Sequence, residues 1–251
     1  MSGHSKWATI KRKKGAADAK RGAVFTKIIR EITIAARMGG EDINANPRLR
    51  TAVAKAKASN MPNDNIERAI KKGAGTLDGV VYEEIRYEGY GPGGVAIMVD
   101  CLTDNKNRTT PEVRTTFSKH GGNLGETGCV NYLFDRKGNI VIEPGQTNED
   151  EVMELLLDYD LEDIKTDEDI IEIVCSPEAF NEVNDVLTNK GFKLSVSEIS
   201  MMPQTTVPLD EKRAGQCLRL IELLEDLDDV QNVYSNYDIS DEIMLKISEG
   251  Q

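Results

Sequence analysis

Lys11, Arg12, Lys13 and Lys14 stand side by side, with Lys6 and Trp7 before them and Lys20, Arg21, Lys27 and Arg30 after them. Adjacent like charges repel unless something anionic neutralises them. A phosphate backbone does so and releases condensed counterions, which gives a large, salt-dependent affinity. These cations are the expected primary backbone-contacting surface. Trp7, the only tryptophan, either stacks on a base or a guanidinium or plugs the N-terminal arm against the helices. Lys106 and Arg108, beside Asn105 and Asn107, form a second basic locus just before an expected helix N-terminus, where backbone N–H groups favour phosphate. The same residues also read as a polar loop with an Asn or Thr cap.

Other chemistry is poorly supplied. The two histidines, His4 and His120, argue against a histidine-ligated metal and against a Ser-His-Asp catalyst. Cys101, Cys129, Cys175 and Cys217 have neither zinc-knuckle nor redox-motif spacing and are expected as buried free thiols. The carboxylates from Glu149 to Asp169 offer oxygen ligands, yet most fall at helix starts or hairpin positions, where solvated acids are ordinary. The glycine-rich run Gly89–Gly94 lacks the spacing of a phosphate-binding fingerprint and reads as a tight turn. The expectation is a non-enzymatic chain with no catalytic set, metal, cofactor or small-molecule substrate.

Charge is sharply divided. Residues 1–75 hold 17 Lys+Arg against 6 Asp+Glu, a net +11, whereas residues 76–251 hold 14 against 37, a net −23. The basic head fits a nucleic acid, DNA or rRNA on the ribosome. The acidic part would repel nucleic acid except where the head points, or would dock basic ribosomal or polymerase surfaces. No apolar run is long enough for a membrane span, and the first residues lack the apolar stretch of a secretion signal. A cytoplasmic protein without membrane contact is expected.

The elements that must position these residues follow from periodicity. A helix from about Ala16 to Met38 puts Val24, Phe25, Ile28, Ile29 and Ile32 on one arc and Lys20, Lys27, Arg30 and Arg37 on another. Gly39-Gly40 ends it, Asn46-Pro47 opens a second helix, and Pro62 opens a third that stops at Gly73. Gly73, Gly75 and Gly79 read as a linker. Strands are expected at Val81–Tyr87, Val95–Val99 and Cys129–Phe134, with a helix from Thr110-Pro111 to Gly121-Gly122. After a turn at Asp135–Asn139, residues to Ile199 read as strand, helix, strand, strand, helix, strand, the ferredoxin-like order. Leu209–Leu227 is a helix and Val230–Tyr234 a strand that complete the unit begun near residue 80. The fold class is α+β with three domains: an all-α N-terminal domain (1–78), a discontinuous α+β domain (79–134 with 205–251), and a ferredoxin-like domain (135–204) inserted in it.

Several runs carry a family resemblance: Gly3-His4-Ser5-Lys6-Trp7-Ala8, Asn46-Pro47-Arg48-Leu49-Arg50, Tyr87-Glu88-Gly89-Tyr90-Gly91-Pro92-Gly93-Gly94, Thr103-Asp104-Asn105-Lys106-Asn107-Arg108-Thr109, Gly121-Gly122-Asn123-Leu124-Gly125 and Leu224-Glu225-Asp226-Leu227-Asp228-Asp229. In this order they resemble the YebC/PmpR family from residue 3 to about residue 240. Cys129 stands where serine is expected to be common, and nothing functional hangs on it. The resemblance implies a helical domain followed by two α+β domains. It further implies a bacterial DNA-binding transcriptional regulator or, as in a mitochondrial relative that activates translation, a ribosome-associated factor that binds RNA.

Overall fold

The computed structural model describes residues 19–75, 81–167 and 169–249. The apolar arc of the first helical stretch makes α1 (Ala19–Gly39), against which α2 (Pro47–Ala58) and α3 (Asn63–Gly73) pack. Ile32, Leu49 and Ala56 are fully buried in the core of this bundle. Asn46 caps α2 by accepting from the Leu49 N–H at 3.0 Å, and its side-chain amide donates to the carbonyl of Ala35 at 2.8 Å. One side chain thus starts α2 and ties it to α1. Gly73 is a packing residue as well as a helix end: a Cβ there would lie 2.2 Å from the carbonyl oxygen of Thr33, so α1 and α3 approach too closely for a side chain. Gly79 lies outside the described residues.

The first sheet is antiparallel and holds β1 (Glu83–Tyr90), β2 (Ala96–Thr103), β3 (Asn123–Leu124) and β9 (Val230–Ser235), in the order β3-β1-β2-β9. Tyr87, Ile97 and Val99 on one face pack against α4 (Lys106–Lys119) and α7 (Glu211–Glu225) through Phe117, Leu220 and Leu224. Ala96 and Met98 on the other face meet Val130 and Phe134, with Met201 and Tyr234 alongside. The second sheet holds β4 (Phe134–Ile142), β5 (Leu161–Asp167), β6 (Ile170–Cys175) and β7 (Leu194–Pro203), in the order β5-β6-β4-β7. With α5 (Glu149–Leu155) after β4 and α6 (Phe180–Asn189) after β6, this is the ferredoxin-like arrangement, inserted between the β2–α4 part of the first unit and its returning helix and strand. The fold class read from the sequence is the observed one. A short parallel pair, β8 (Val207–Pro208) with β10 (Tyr237–Asp238), and α8 (Asp241–Glu249) complete the described elements.

Three local expectations are corrected. Helix α4 begins at Lys106, a turn before Thr110, because the Asn105 side chain accepts from the Arg108 N–H at 3.2 Å. Pro111 is tolerated inside it because the bond it forgoes, to the carbonyl of Asn107, lies on the exposed face. Cys129–Leu133 is not a strand: Asn131–Leu133 is a 3₁₀ turn, and strand pairing starts at Phe134, opposite Pro203. Asp135–Asn139 is not a turn but the first half of β4. Its polar residues pair with β7, and Gly138 leaves room for the Cys175 sulfur, which a Cβ would approach to 2.6 Å. The order read from the sequence includes a second strand without placing it, which is β5, and helix α8 has no counterpart in that reading.

Candidate nucleic-acid interface

Helix α1 carries its cations on the face turned away from its own bundle, and the structure seats Lys27 on the end of α7 and Arg30 on the turn that follows it. The Lys27 ammonium donates to the carbonyl of Glu225, and the Arg30 guanidinium to the carbonyl of Asp228. The last carbonyls of a helix have no intrahelical partner and lie at the negative end of its dipole, so cations are favoured there. Arg30 also meets the Asp229 carboxylate at 2.9 Å and lies over the Tyr82 ring, 5.8 Å from its centroid.

Asp229, whose side chain is 2% exposed, is the meeting point of three elements. The Arg108 guanidinium reaches it at 2.7 Å from the first turn of α4, and the hydroxyls of Thr109 and Thr103 donate at 2.6 and 3.1 Å. Burial by itself would raise the Asp229 pKa. The Thr109 hydroxyl, the Arg108 guanidinium, the nearby charge of Arg30 and the Thr103 hydroxyl outweigh it, and the carboxyl lies below its usual value. The bonds to Asp229, with that to Asp104 at 2.9 Å, push the Arg108 pKa up. Two loci read from distant stretches as phosphate contacts therefore converge on one buried acid of the chain itself.

The other expected residues are placed differently. Lys106 is exposed at the first position of α4 and makes no ion pair among the described residues. Lys20 and Arg21 stand on the first turn of α1, with side chains outside the described set, and Lys6, Trp7, Lys11, Arg12, Lys13 and Lys14 lie outside the described residues. Reading the sequence for charge density passes over α2. Its twelve residues contain no acid, and Arg50, Lys55 and Lys57 are exposed on it. The signal is available: a helix with four bases, no acids and mostly small residues between them. Arg48 on the same helix turns inward, gripping Glu31 through two hydrogen bonds, at 2.7 and 3.2 Å, and pairing with Glu84 on β1.

A second organised feature lies under the first sheet. The carboxylate of Glu88, buried on β1, accepts the N–H groups of Gly128, Val130 and Asn131, each at 2.8 Å. Burial would raise its pKa, but the bonds from Val130, Gly128 and Asn131 prevail and lower it. These bonds fold residues 125–131 into a fixed loop, with the Tyr90 hydroxyl donating to the carbonyl of Cys129 at 3.0 Å. Among the described residues no group of three His, Cys, Asp or Glu side chains is placed to hold a metal ion, and no helix is long and apolar enough to cross a membrane.

A cation-bearing helical bundle held by charge on a two-sheet α+β body defines a three-part protein. The chain belongs to the TACO1/YebC family: the N-terminal domain model matches residues 5–76, and the model of the second and third domain matches residues 82–237. It is 59% identical over 249 residues to a protein of Syntrophus aciditrophicus, covering 99% of this chain and all of that one, and 58% identical over 247 residues to one of Geobacter sulfurreducens, covering 98% and all of that one. Both relatives are named probable transcriptional regulatory protein. The crystal structure of a conserved hypothetical protein from Aquifex aeolicus is similar, at 50% identity and a TM-score of 0.80 over 90% of this chain and 94% of that one.

Proposed function

We propose that this chain is a cytoplasmic regulator that binds nucleic acid through its helical head, with duplex DNA as the polymer and transcription as the process. The observation that carries the proposal is the charge segregation: a net +11 over residues 1–75 against −23 over the rest, with an acid-free helix exposing Arg50, Lys55 and Lys57. The names of the close relatives support the regulatory part. In this reading Lys27, Arg30 and Arg108 set the angle of the head on the body. Phosphate contact falls to Lys6, Lys11, Arg12, Lys13, Lys14, Lys20, Arg21 and Lys106, joined by the exposed cations of α2. Trp7 lies in the same arm, where an aromatic ring serves stacking or anchoring.

A second reading is favoured by one feature. The exposed residues of α2 are Arg, Lys, Thr, Ala and Pro, which meet phosphate rather than read base edges, so a structured RNA such as rRNA on the ribosome fits the same surface. Filter binding at low salt, run in parallel on promoter fragments, random duplex and ribosomal subunits, separates the two. Selective retention of promoter DNA supports the first, and co-sedimentation with subunits without DNA preference supports the second. Absence of retention on any of the three overturns both.

A further inference from the structure

The ferredoxin-like unit carries a groove that the proposed function does not use. It runs between the end of α5 and the edge strand β5, has a volume of about 400 Å³, and is floored by Met153, Leu156, Leu157, Tyr159 and Ile164. Two of these side chains project into solvent, Leu157 at 77% exposure and Met153 at 48%. Large apolar side chains this exposed, grouped around one depression, mark an interaction surface more often than an accident of packing.

The rim decides what fits. Residues 138–164 contain nine Asp or Glu and no Lys or Arg, and the whole inserted unit, 135–204, holds 18 acids against 5 bases. Glu162 is paired with Lys137, and Asp163 with Lys165 at 2.9 Å. Glu154, Asp158 and Asp160, each next in sequence to a residue that lines the groove, are exposed and make no salt bridge among the described residues. A nucleic acid is repelled by such a rim. A second copy of the chain seated groove to groove would set the same acids face to face, which costs binding energy. We propose that the groove docks a basic segment of a partner protein, one that inserts apolar side chains against Met153 and Leu157 while its Lys or Arg side chains meet Glu154, Asp158 and Asp160. The surface is independent of the nucleic-acid reading and can hold whether or not that reading does.

The test uses the full chain and a fluorescein-labelled amphipathic 18-residue peptide of Lys and Leu, with a counterpart bearing Glu in place of every Lys. Fluorescence anisotropy should show saturable binding of the basic peptide only. The double substitution Met153→Asp with Leu157→Asp should weaken that binding at least tenfold. Attraction to net negative charge alone would strengthen it instead, because two carboxylates are added. Charge reversal at the rim, Glu154→Lys with Asp158→Lys, should abolish binding of the basic peptide and admit the acidic one. Both pairs alter exposed positions, and an unchanged melting temperature verifies the fold. Unchanged or tighter binding by the Asp variant overturns the proposal, as does equal affinity for the two peptides. A self-associated wild type that the Asp variant renders monomeric also overturns it, since a second copy would then be the occupant.

Discussion

Arg30 and Asp229, 199 positions apart in sequence, meet at 2.9 Å, with 13% and 2% of their side chains exposed. The first described helix is thereby pinned to the turn that follows α7. Burying a carboxylate is costly unless its partners replace the lost water, and Asp229 has four: Arg30, Arg108, Thr103 and Thr109.

Removing the charge should expose how much rests on this point. Asp229→Asn leaves two guanidinium groups facing a neutral amide and is expected to destabilise the protein by about 3 kcal/mol. A double-mutant cycle of Arg30→Met with Asp229→Asn, followed by urea denaturation, should give a coupling of about 1–2 kcal/mol. Strict additivity would mean that the pair holds nothing together. Small-angle scattering of Arg30→Met should show a larger radius of gyration as the head loosens.

The same carboxylate sets an acid limit. The folded pKa of Asp229 lies below its ordinary value of 3.8, so the unfolded chain takes up the proton first. The stabilisation is complete above about pH 5 and disappears as the pH falls through 3.8 toward the folded value. Glu88, lowered from 4.5, adds to the loss in the same direction. Melting temperatures between pH 6 and pH 3 should therefore fall more steeply for the wild type than for Asp229→Asn, and the two curves should converge at the acid end. Parallel curves would refute the assignment.

Glu88 offers a chemical readout. Cys101 and Cys217 are buried, with thiols pushed up to about 12 by desolvation, and Cys175 is pushed up to about 11. Cys129, its thiol also raised by burial and by the nearby Glu88 charge, is only half-buried, in the loop that Glu88 holds. A thiol-reactive dye at pH 8 should label Cys129 first in the native protein and the other three only on unfolding. Glu88→Gln forfeits at least one charge-assisted bond, at a cost of about 2 kcal/mol, and should speed that labelling severalfold. Unchanged labelling would show that the loop stands without the carboxylate.

These features are unevenly legible in the sequence. The α1–α3 bundle, the ferredoxin-like order and the returning helix and strand are readable because period-3.6 stripes and capping residues such as Asn46 and Asn148 act locally. Strand β5, Leu161–Asp167, is not, because an edge strand exposes alternate polar residues and offers only Leu161 and Ile164 as apolar signal. The Cys129–Leu133 segment looks like a strand because the force that bends it, the Glu88 carboxylate, sits forty residues earlier. Lys27, Arg30 and Arg108 read as cations in need of an anion. Which partner they meet, the Glu225 carbonyl for Lys27 and the Asp229 carboxylate for the two arginines, depends on tertiary contacts that spacing does not encode. The exposed cations of α2 are visible but eclipsed by the denser run at Lys11–Lys14.

Salt dependence can separate the cations that touch phosphate from those that hold the head. Every cation removed from the DNA backbone should reduce the slope of log K against log salt by about 0.9. Replacing Lys11, Arg12, Lys13 and Lys14 together by Ala should therefore flatten the slope by up to about 3.6. Replacing Arg50, Lys55 and Lys57 should flatten it by up to about 2.7. Arg30→Ala and Arg108→Ala, whose guanidinium groups are occupied by Asp229, should lower the melting temperature and leave the slope unchanged at temperatures where the variants stay folded. If the last two substitutions flatten the slope as much as the first four, those arginines exchange Asp229 for phosphate on binding, and the head must swing away from α7 to do so.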